Sequence, residues 1–203
     1  MPRTPVLDVF RPSFRAACRA YFGLELHGTH NIPADGPLII APNHQTYADP
    51  PLVTIPVRRP VYYMAWSRLF TIPVFAGFIR RLRAFPVDIE ATDTRAIREA
   101  ARLLRAGEAL MIFPEGGRTP DGSLQPFRIG AFRLAVAHDA AVLPVTIDGG
   151  FAAWPPGKTL PRRGSITITY HPIERPAARK ERREAAEDLR ARVSARIATA
   201  LRR

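Results

Sequence analysis

An imidazole and a carboxylate stand close together in the first part of the chain, on a turn that follows an apolar run. Residues 38–42 read Leu-Ile-Ile-Ala-Pro, and the turn after them carries His44 and, with four residues between, Asp49. A histidine beside a carboxylate can remove the proton from a hydroxyl and make it nucleophilic at neutral pH. The pattern predicts a general base; the alternative is a histidine that caps a helix starting near Asp49.

A second polar turn follows a second apolar run and carries groups that bind anions. Residues 113–119 read Phe-Pro-Glu-Gly-Gly-Arg-Thr. The glycines let backbone N–H groups approach an anion, and the guanidinium of Arg118 adds two parallel donors. Glu115, a carboxylate beside this arginine, suits a polar acceptor. The alternatives are a surface Arg118 that pairs with Asp121 and a Glu115 that caps a helix.

Both turns depend on a sheet that brings them together. Apolar runs of strand length alternate with helical periodicity, which predicts a single-domain α/β fold with a mostly parallel central sheet flanked by helices. Polar turns after neighbouring parallel strands share one rim of the sheet. The alternation at 165–170 predicts an edge strand. The predicted strands are 38–41, 61–65, 84–87, 109–113 and 142–147, and the predicted helices are 94–106 and about 127–138.

The two ends of the chain are predicted to be amphipathic helices around this core. Residues 5–24 place aromatic and aliphatic side chains at helical spacing among arginines, which fits either a helix in the headgroup region of a bilayer or one packed on the core. From about residue 177 onward, apolar residues recur every fourth position, which predicts a helix packed on the sheet. The predicted division is an amino-terminal helical segment at 1–24, the core at 25–175 and the carboxy-terminal helix at 176–203.

Length, cysteine count and charge exclude several classes of protein for this chain. The chain has 203 residues, which is one domain by length, and no apolar run approaches the roughly 18 residues of a membrane span. No signal peptide is visible at the start. Cys18 is the only cysteine, which excludes a disulfide within the chain and a multi-thiolate metal site, and it is predicted to be a small core residue. The net charge of +12 favours an anionic partner, although only Lys158 and Lys180 among 30 basic residues are lysine, an arginine bias that weakens the charge as a clue.

Three motifs in order resemble the glycerolipid acyltransferases typified by 1-acylglycerol-3-phosphate acyltransferase. They are Asn-His-Gln-Thr-Tyr-Ala-Asp at 43–49, Phe-Pro-Glu-Gly-Gly-Arg-Thr at 113–119 and Val-Leu-Pro-Val-Thr-Ile at 142–147. The resemblance covers roughly residues 25–170. It implies the α/β acyltransferase fold and transfer of a fatty acyl group from acyl-CoA or acyl carrier protein, as donor substrate, to an acceptor hydroxyl, with no cofactor and no metal.

The resemblance also implies roles for individual residues. His44 would be the general base that removes the acceptor proton, and Asp49 would orient its imidazole. The residues that match the family's substrate-binding turns are Gln45, Thr46, Glu115, Gly116, Gly117, Arg118 and Thr119. Arg118 would reach a phosphate on the acceptor.

The expected partners are an acyl thioester donor, a lysolipid acceptor and an anionic membrane surface, without nucleic acid. The expected location is the cytoplasmic face of the cell membrane, with peripheral attachment, in phospholipid biosynthesis. Trp66 and Ile89 stand where the family often carries lysine and arginine. The acceptor is therefore open between 1-acylglycerol 3-phosphate and another lysolipid. A thioester or ester hydrolase using the same pair and a basic binding protein without catalysis are the alternatives from other classes.

Overall fold

The computed structural model describes residues 5–88, 93–178 and 181–201, with side chains from residue 11 onward. Ile89 and the side chains of residues 5–10, which form the first part of the helix predicted at 5–24, lie outside the described residues. The predicted fold class is confirmed, because a mostly parallel sheet is flanked by helices on both faces.

Seven strands within the described residues form one sheet, in the order β1-β7-β6-β2-β5-β3-β4. The five strands from β6 to β4 in this order are parallel to one another, whereas β7 and β1 run the opposite way. The carboxyl ends of β2, β3 and β5 therefore lie at the same edge of the sheet. The strands are β1 (Glu25–His27), β2 (Leu38–Pro42), β3 (Val61–Trp66), β4 (Ala84–Val87), β5 (Ala109–Met111), β6 (Ala141–Asp148) and β7 (Thr167–Tyr170).

Helices cover the two faces of this sheet and bury its apolar runs. They are α1 (Pro5–Phe22), α2 (Asp49–Thr54), α3 (Pro73–Arg81), α4 (Thr94–Arg105), α5 (Gly130–Ala137), α6 (Gly150–Ala153) and α7 (Arg182–Ala198). Leu38 and Ile40 of β2 pack in the same cluster as side chains of α1 and α2, whereas Ile39 packs with α4, α5 and α7. Because β2 is covered on both faces, all five of its residues are buried.

The prediction that 165–170 forms an edge strand is wrong. Strand β7 lies between β6 and the short β1, which pairs with it in parallel. The alternation is nevertheless present, because Ile168 and Tyr170 are buried while Thr167 and Thr169 are half-buried. Alternation reports that one face of a strand is uncovered, and it carries no information about the neighbour on either side.

The two predicted central helices differ in how closely they match the structure. Helix α4 starts after Asp93, whose carboxylate accepts the backbone N–H of Arg95 at 2.9 Å and of Ala96 at 3.0 Å. The second helix, predicted at about 127–138, begins only at Gly130. The backbone N–H of Arg128 donates instead to the carbonyl of Pro114 at 2.7 Å. The residues before α5 are thereby held against the 113–119 turn.

The terminal helices pack to different extents. Leu189, Val193 and Ile197 of α7 are fully buried beside α5 and the sheet, which confirms the predicted packing of the carboxy-terminal helix. Helix α1 is held by Cys18, which is buried in the core as predicted, and by the half-buried Phe22. Its other described side chains, apart from Arg11, are exposed.

Within the described residues, no helix combines the length and the apolar character needed to cross a bilayer.

Candidate active site

Two loops meet at the carboxyl edge of the sheet, one after β2 and one after β5. These strands are hydrogen-bonded parallel neighbours. The backbone N–H of His44 donates to Oε1 of Glu115 at 2.6 Å, and the backbone N–H of Thr119 donates to the carbonyl oxygen of His44 at 2.8 Å. The peptide groups on both sides of His44 are therefore held by the 113–119 turn. The prediction that the two polar turns share one rim is confirmed.

The imidazole of His44 is hydrogen-bonded to Asp49. Nδ1 of His44 lies 2.8 Å from Oδ2 of Asp49, and the carboxylate is fully buried. Because an ionised carboxylate only accepts hydrogen bonds, the proton of the neutral ring lies on Nδ1, and Nε2 carries the lone pair. Helix α2 begins after Ala48, without a side-chain cap, so the alternative in which His44 caps this helix is wrong.

The Asp49 carboxylate is held in place by its own turn. Oδ2 accepts the backbone N–H of Gln45 at 2.6 Å and of Thr46 at 2.8 Å, and Oδ1 accepts the Thr46 hydroxyl at 2.6 Å. With the bond from His44, four donors surround one carboxylate at the first residue of a helix, where negative charge is also favoured by the helix dipole. The carboxylate cannot rotate without losing several of these bonds, so it fixes the plane of the imidazole.

The ring of His44 remains accessible on one side. Phe113, from the second loop, stacks on it with ring centroids 3.8 Å apart and planes 20° apart. The side chain of His44 is 16% exposed, and Nε2 has no hydrogen-bond partner among the residues that the structure describes. A neutral imidazole with a fixed Nδ1–H and an available Nε2 can act as a general base.

Glu115 supports the His44 loop. Its Oε1 accepts from the backbone of His44, and its Oε2 accepts the backbone N–H of Gln125 at 2.9 Å. Burial, with a smaller contribution from the nearby charge of Asp49, raises the pKa of Glu115 to about 7, although both backbone donors oppose this shift. Since both oxygens are engaged with the backbone, the geometry fits a bracing role, and the predicted contact with the acceptor stays a prediction.

Gln45 and Thr46, predicted to bind substrate, are buried in this structure. Oε1 of Gln45 accepts the backbone N–H of Phe151 at 3.1 Å, at the start of α6. A Cβ on Gly150 would lie 2.9 Å from the same oxygen, so a glycine there makes room for this contact. Thr46 is 1% exposed, and its hydroxyl donates a hydrogen bond to the carboxylate of Asp49. Both side chains position the loop, and their contact with substrate remains a prediction.

Thr119 closes the second turn. Its hydroxyl donates to Oδ1 of Asp121 at 3.1 Å and accepts the backbone N–H of Gly122 at 3.0 Å, and the residue is 1% exposed. Asp121 also accepts from the backbone and hydroxyl of Ser123, which together with Thr119 lower its pKa. The partners of Asp121 are therefore within its own turn, and the alternative in which Arg118 pairs with it is not found among the described residues.

Arg118 points its guanidinium across the first loop. The guanidinium carbon lies 3.5 Å from the ring centroid of Tyr47, which is a close cation–π contact. Nη1 of Arg118 is buried without a hydrogen-bond partner among the described residues. A guanidinium held by stacking with a donor still available is suited to a phosphate or carboxylate oxygen.

The two glycines of the turn serve different purposes. Gly116 has φ +79°, and a Cβ on it would lie 2.5 to 2.9 Å from the guanidinium and Cδ atoms of Arg128. Its N–H donates to the carbonyl of Phe113 at 3.0 Å, so this amide is engaged within the turn. Gly117 is exposed, and a Cβ there would meet nothing within 4 Å. Open space in the turn therefore lies at Gly117.

Three residues that shape the site were missed from the sequence. Asn43 donates from Nδ2 to the carbonyl of Ile147 at 2.9 Å and accepts its N–H at 2.7 Å, which ties the first loop to β6. Phe113 stacks on His44, and Arg128 covers Gly116. Asn43 carried a signal, since a polar residue directly after a buried strand needs a partner. Arginine is too frequent in this chain for Arg128 to stand out.

No group of three or more potential metal-ligating side chains occurs in the part of the chain that the structure describes. The expectation of a reaction without metal stays a prediction.

Comparisons with known proteins support the resemblance that the three sequence motifs indicate. The family model described as acyltransferase matches residues 23–148. The 1-acyl-sn-glycerol-3-phosphate acyltransferase of Bacillus subtilis is 30% identical over 149 residues, which is 72% of this chain and 71% of that protein. The chloroplastic 1-acyl-sn-glycerol-3-phosphate acyltransferase LPAT1 of Arabidopsis thaliana is 26% identical over 74% of this chain and 43% of its own length.

A solved structure has the same architecture. The crystal structure of the 1-acyl-sn-glycerophosphate acyltransferase PlsC from Thermotoga maritima superposes with a TM-score of 0.77 at 27% identity, over 97% of this chain and 79% of that chain.

Proposed function

The chain belongs to the acyltransferase family, as a glycerolipid O-acyltransferase, and from this premise we propose that it acylates a lysophospholipid. The acyl group comes from acyl-CoA or acyl carrier protein, and the acceptor is the free hydroxyl of a lysolipid such as 1-acylglycerol 3-phosphate, in phospholipid biosynthesis. The names of the Bacillus and Thermotoga relatives, both 1-acylglycerophosphate acyltransferases, support this acceptor. The observation that carries the proposal is the His44–Asp49 pair clamped by the turn that bears Arg118.

His44 acts as the base in a direct transfer. Nε2 removes the proton of the acceptor hydroxyl as its oxygen attacks the thioester carbonyl carbon. The resulting tetrahedral intermediate collapses with cleavage of the C–S bond, and the imidazolium returns the proton to the departing sulfur. The acceptor itself is the nucleophile, so the cycle needs no acyl-enzyme, cofactor or metal.

Asp49 keeps the imidazole ready for this step. Its bond to Nδ1 holds the neutral ring in the tautomer with a free Nε2, and its charge stabilises the imidazolium that forms. The braces from Glu115 and Thr119 hold the backbone of His44 while the charge on its ring changes. We assign Gln45, Thr46, Glu115 and Thr119 to positioning of the loop.

Arg118 and Gly117 form the side of the turn that meets the acceptor. The available Nη1 donor of Arg118 supports binding of an anionic oxygen, such as a phosphate on the acceptor headgroup. The open space at Gly117 leaves room for that headgroup beside the guanidinium. The same geometry also suits another lysolipid with an anionic headgroup.

We propose peripheral attachment to the cytoplasmic face of the cell membrane, because the acceptor is a lipid. Helix α1 supports this location. Phe14 and Tyr21 are 39% and 40% exposed, and Arg15 and Arg19 are exposed on the same helix. Aromatic side chains beside arginines are typical of helices in the headgroup region. The division into 1–24, 25–175 and 176–203 is retained as part of the proposal.

The experiment is an assay of the purified protein with a labelled acyl thioester and a panel of lysolipids, followed by identification of the acylated product. We expect label to move to 1-acylglycerol 3-phosphate and little thioester to be consumed without acceptor. Consumption of the donor at an equal rate without any lysolipid would identify a hydrolase instead. Transfer to a different lysolipid alone would retain the chemistry and change the acceptor.

A further inference from the structure

Exposed apolar side chains gather on one short stretch of the chain, which comprises α3 and the residue before it. Val74 is 88% exposed, Ile72 and Phe78 are each 55% exposed, and Phe75 is 40% exposed. Apolar groups this open to water cost free energy unless something covers them, and a cluster of them marks an interaction site. We call Ile72, Val74, Phe75 and Phe78 the α3 apolar surface.

The α3 apolar surface lies on the side of the helix opposite to the residues that pack on the core. Ala76 and Ile79 are buried, while Val74 and Phe78 lie four residues apart on the opposite side. Arg81 continues the exposed face at the next helical turn, seven residues after Val74, and is itself exposed. The outer face of α3 is therefore apolar along most of its length and cationic at its end.

The topology places this surface near the active-site edge. Helix α3 follows the carboxyl end of β3, after a short 3-10 helix at Ser67–Thr71. Strand β3 is the parallel neighbour of β5, and the turn that holds His44 follows the carboxyl end of β5. The start of the α3 apolar surface and the catalytic loops therefore leave the sheet at the same edge.

We propose that the α3 apolar surface docks the protein on an anionic lipid bilayer. The apolar side chains enter the boundary between headgroups and acyl chains, and Arg81 extends its aliphatic part along the apolar layer toward the headgroup phosphates. Charge complementarity selects this occupant, since α3 itself ends in Arg80 and Arg81, which are both exposed. Docking there turns the edge with His44 toward the lipid that supplies the acceptor.

Vesicle binding tests the surface without reference to catalysis. The full chain is mixed with sedimenting vesicles of phosphatidylcholine and phosphatidylglycerol, and the bound fraction is measured for wild type and for Val74→Glu/Phe78→Glu. We expect the double variant to bind about a hundredfold more weakly, since two apolar side chains no longer enter the bilayer. Both positions are exposed, so circular dichroism and the urea unfolding midpoint are expected to match wild type.

Ile97→Glu is the matched control. Ile97 lies on α4 and is 43% exposed, close to the value for Phe75. The variant adds one negative charge outside the α3 apolar surface, and we expect it to bind vesicles as wild type does. The single variant Val74→Glu adds the same one charge within the α3 apolar surface. An equal loss of binding in Ile97→Glu and Val74→Glu would mean that added negative charge anywhere weakens binding, and the assignment to α3 would be overturned.

The charge part is tested separately with Arg81→Gln. Removing one guanidinium near an anionic surface is expected to weaken binding to phosphatidylglycerol-containing vesicles about fivefold. Binding to vesicles of phosphatidylcholine alone is expected to stay unchanged. An equal effect on both kinds of vesicle would show that Arg81 does not contact anionic headgroups.

Two results would overturn the proposal as a whole. One is unchanged vesicle binding in Val74→Glu/Phe78→Glu together with loss of binding in Phe14→Glu, which would assign docking to α1 alone. The other is unchanged vesicle binding with a raised KM for long-chain but not short-chain acyl donors, which would make the α3 apolar surface a site for the acyl chain. Because vesicle binding is measured without turnover, it can fail while the proposed acyl transfer holds.

Discussion

Two histidines in this protein each follow a strand, yet their surroundings suit opposite roles. His44 follows β2 and bonds through Nδ1 to the buried carboxylate of Asp49, with part of its ring exposed. His171 follows β7, is buried, and places Nε2 2.8 Å from the hydroxyl of Thr146. Burial, with a smaller contribution from the charge of Arg196, lowers the pKa of His171. His171 is therefore kept neutral and away from solvent. His44, in contrast, is paired with the carboxylate of Asp49 and is partly exposed to solvent.

The direction of the strand decides which histidine reaches the active-site edge. Strand β2 is parallel to its neighbours, so His44 emerges at the carboxyl edge where the second loop also emerges. Strand β7 is antiparallel to β6. The backbone N–H of His171 donates to the carbonyl oxygen of Pro144 in β6. A histidine after a strand therefore becomes a site residue only where the loops of other strands meet it.

The largest difference between the two histidines is expected in the rate of acyl transfer. His44→Ala is expected to lower kcat by about two to four orders of magnitude, because no other group in the pair removes the acceptor proton. His171→Ala, the matched control, is expected to retain transfer. The measurement is release of labelled product at saturating donor and acceptor. Similar losses in the two variants would remove the distinction between them.

The counter-charge is the second difference. Asp49→Asn keeps the size of the side chain but presents an amide that can donate toward Nδ1, which favours the tautomer with a blocked Nε2. We expect kcat to fall on the order of a hundredfold. Thr146→Val, which removes the partner of His171, serves as the control and is expected to leave kcat unchanged. Full activity in Asp49→Asn would contradict the orienting role.

The third difference is the arginine that accompanies each histidine. Arg118→Ala is expected to raise the KM for a phosphate-bearing acceptor about ten- to a hundredfold and to leave the KM for the donor nearly unchanged, because one charge-assisted contact is lost. Arg196→Ala, beside His171, is expected to change neither value. Equal changes for donor and acceptor in Arg118→Ala would count against a headgroup contact.

The free energy of unfolding is expected to depend more on His171 than on His44, the reverse of the order for the rate of acyl transfer. His171→Ala is expected to lower the free energy of unfolding by about 2 kcal/mol at neutral pH, since a buried ring and its bond to Thr146 are lost. The lowered pKa of His171 means that the unfolded chain binds this proton more tightly, so the difference should shrink as the pH falls below about 6.5. Urea unfolding at several pH values measures both effects. A difference that grows at acid pH would contradict a neutral buried His171.

Glu115, which accepts the backbone N–H of His44, provides the smallest and most specific test of the contact between the two loops. Its pKa is raised to about 7 from an ordinary 4.5, so the folded state binds the proton more tightly than the unfolded chain. The stability of wild type relative to Glu115→Gln should therefore fall as the pH rises from about 4.5 to about 7 and stay level above that. Chemical unfolding of both proteins across this range measures the change. A relative stability that rises over the same range would contradict a buried, proton-retaining Glu115.

Residue type and spacing were sufficient to predict the sheet and the meeting of the two loops. The apolar runs that form β2 to β6 needed cover on both faces, and polar turns after parallel neighbours have only one edge to share. Strand β1 was missed because Glu25–His27 is three residues long and has no apolar run. The edge position of β7 was predicted from its alternation alone, and the sequence has no signal for the pairing with β1 that contradicts it.

The orientation of the site residues was beyond the reach of the sequence. Gln45, Glu115 and Thr119 have the types that bind polar substrates, but each of them instead satisfies a polar group of the protein. Whether a polar side chain faces a ligand or a backbone amide depends on which amides a tight turn leaves unpaired. That in turn depends on contacts between loops about 70 residues apart, such as the bond from His44 to Glu115. Spacing along the chain does not report such contacts.

The most direct measurement is the transfer rate of the double variant His44→Ala/Asp49→Asn beside the two single variants, with the same donor and acceptor. If Asp49 acts through His44, its substitution has nothing further to remove once the imidazole is gone. We predict that the double variant is no slower than His44→Ala. A double variant slowed by the product of the two single losses would show that the two side chains act independently, and the paired base would be contradicted.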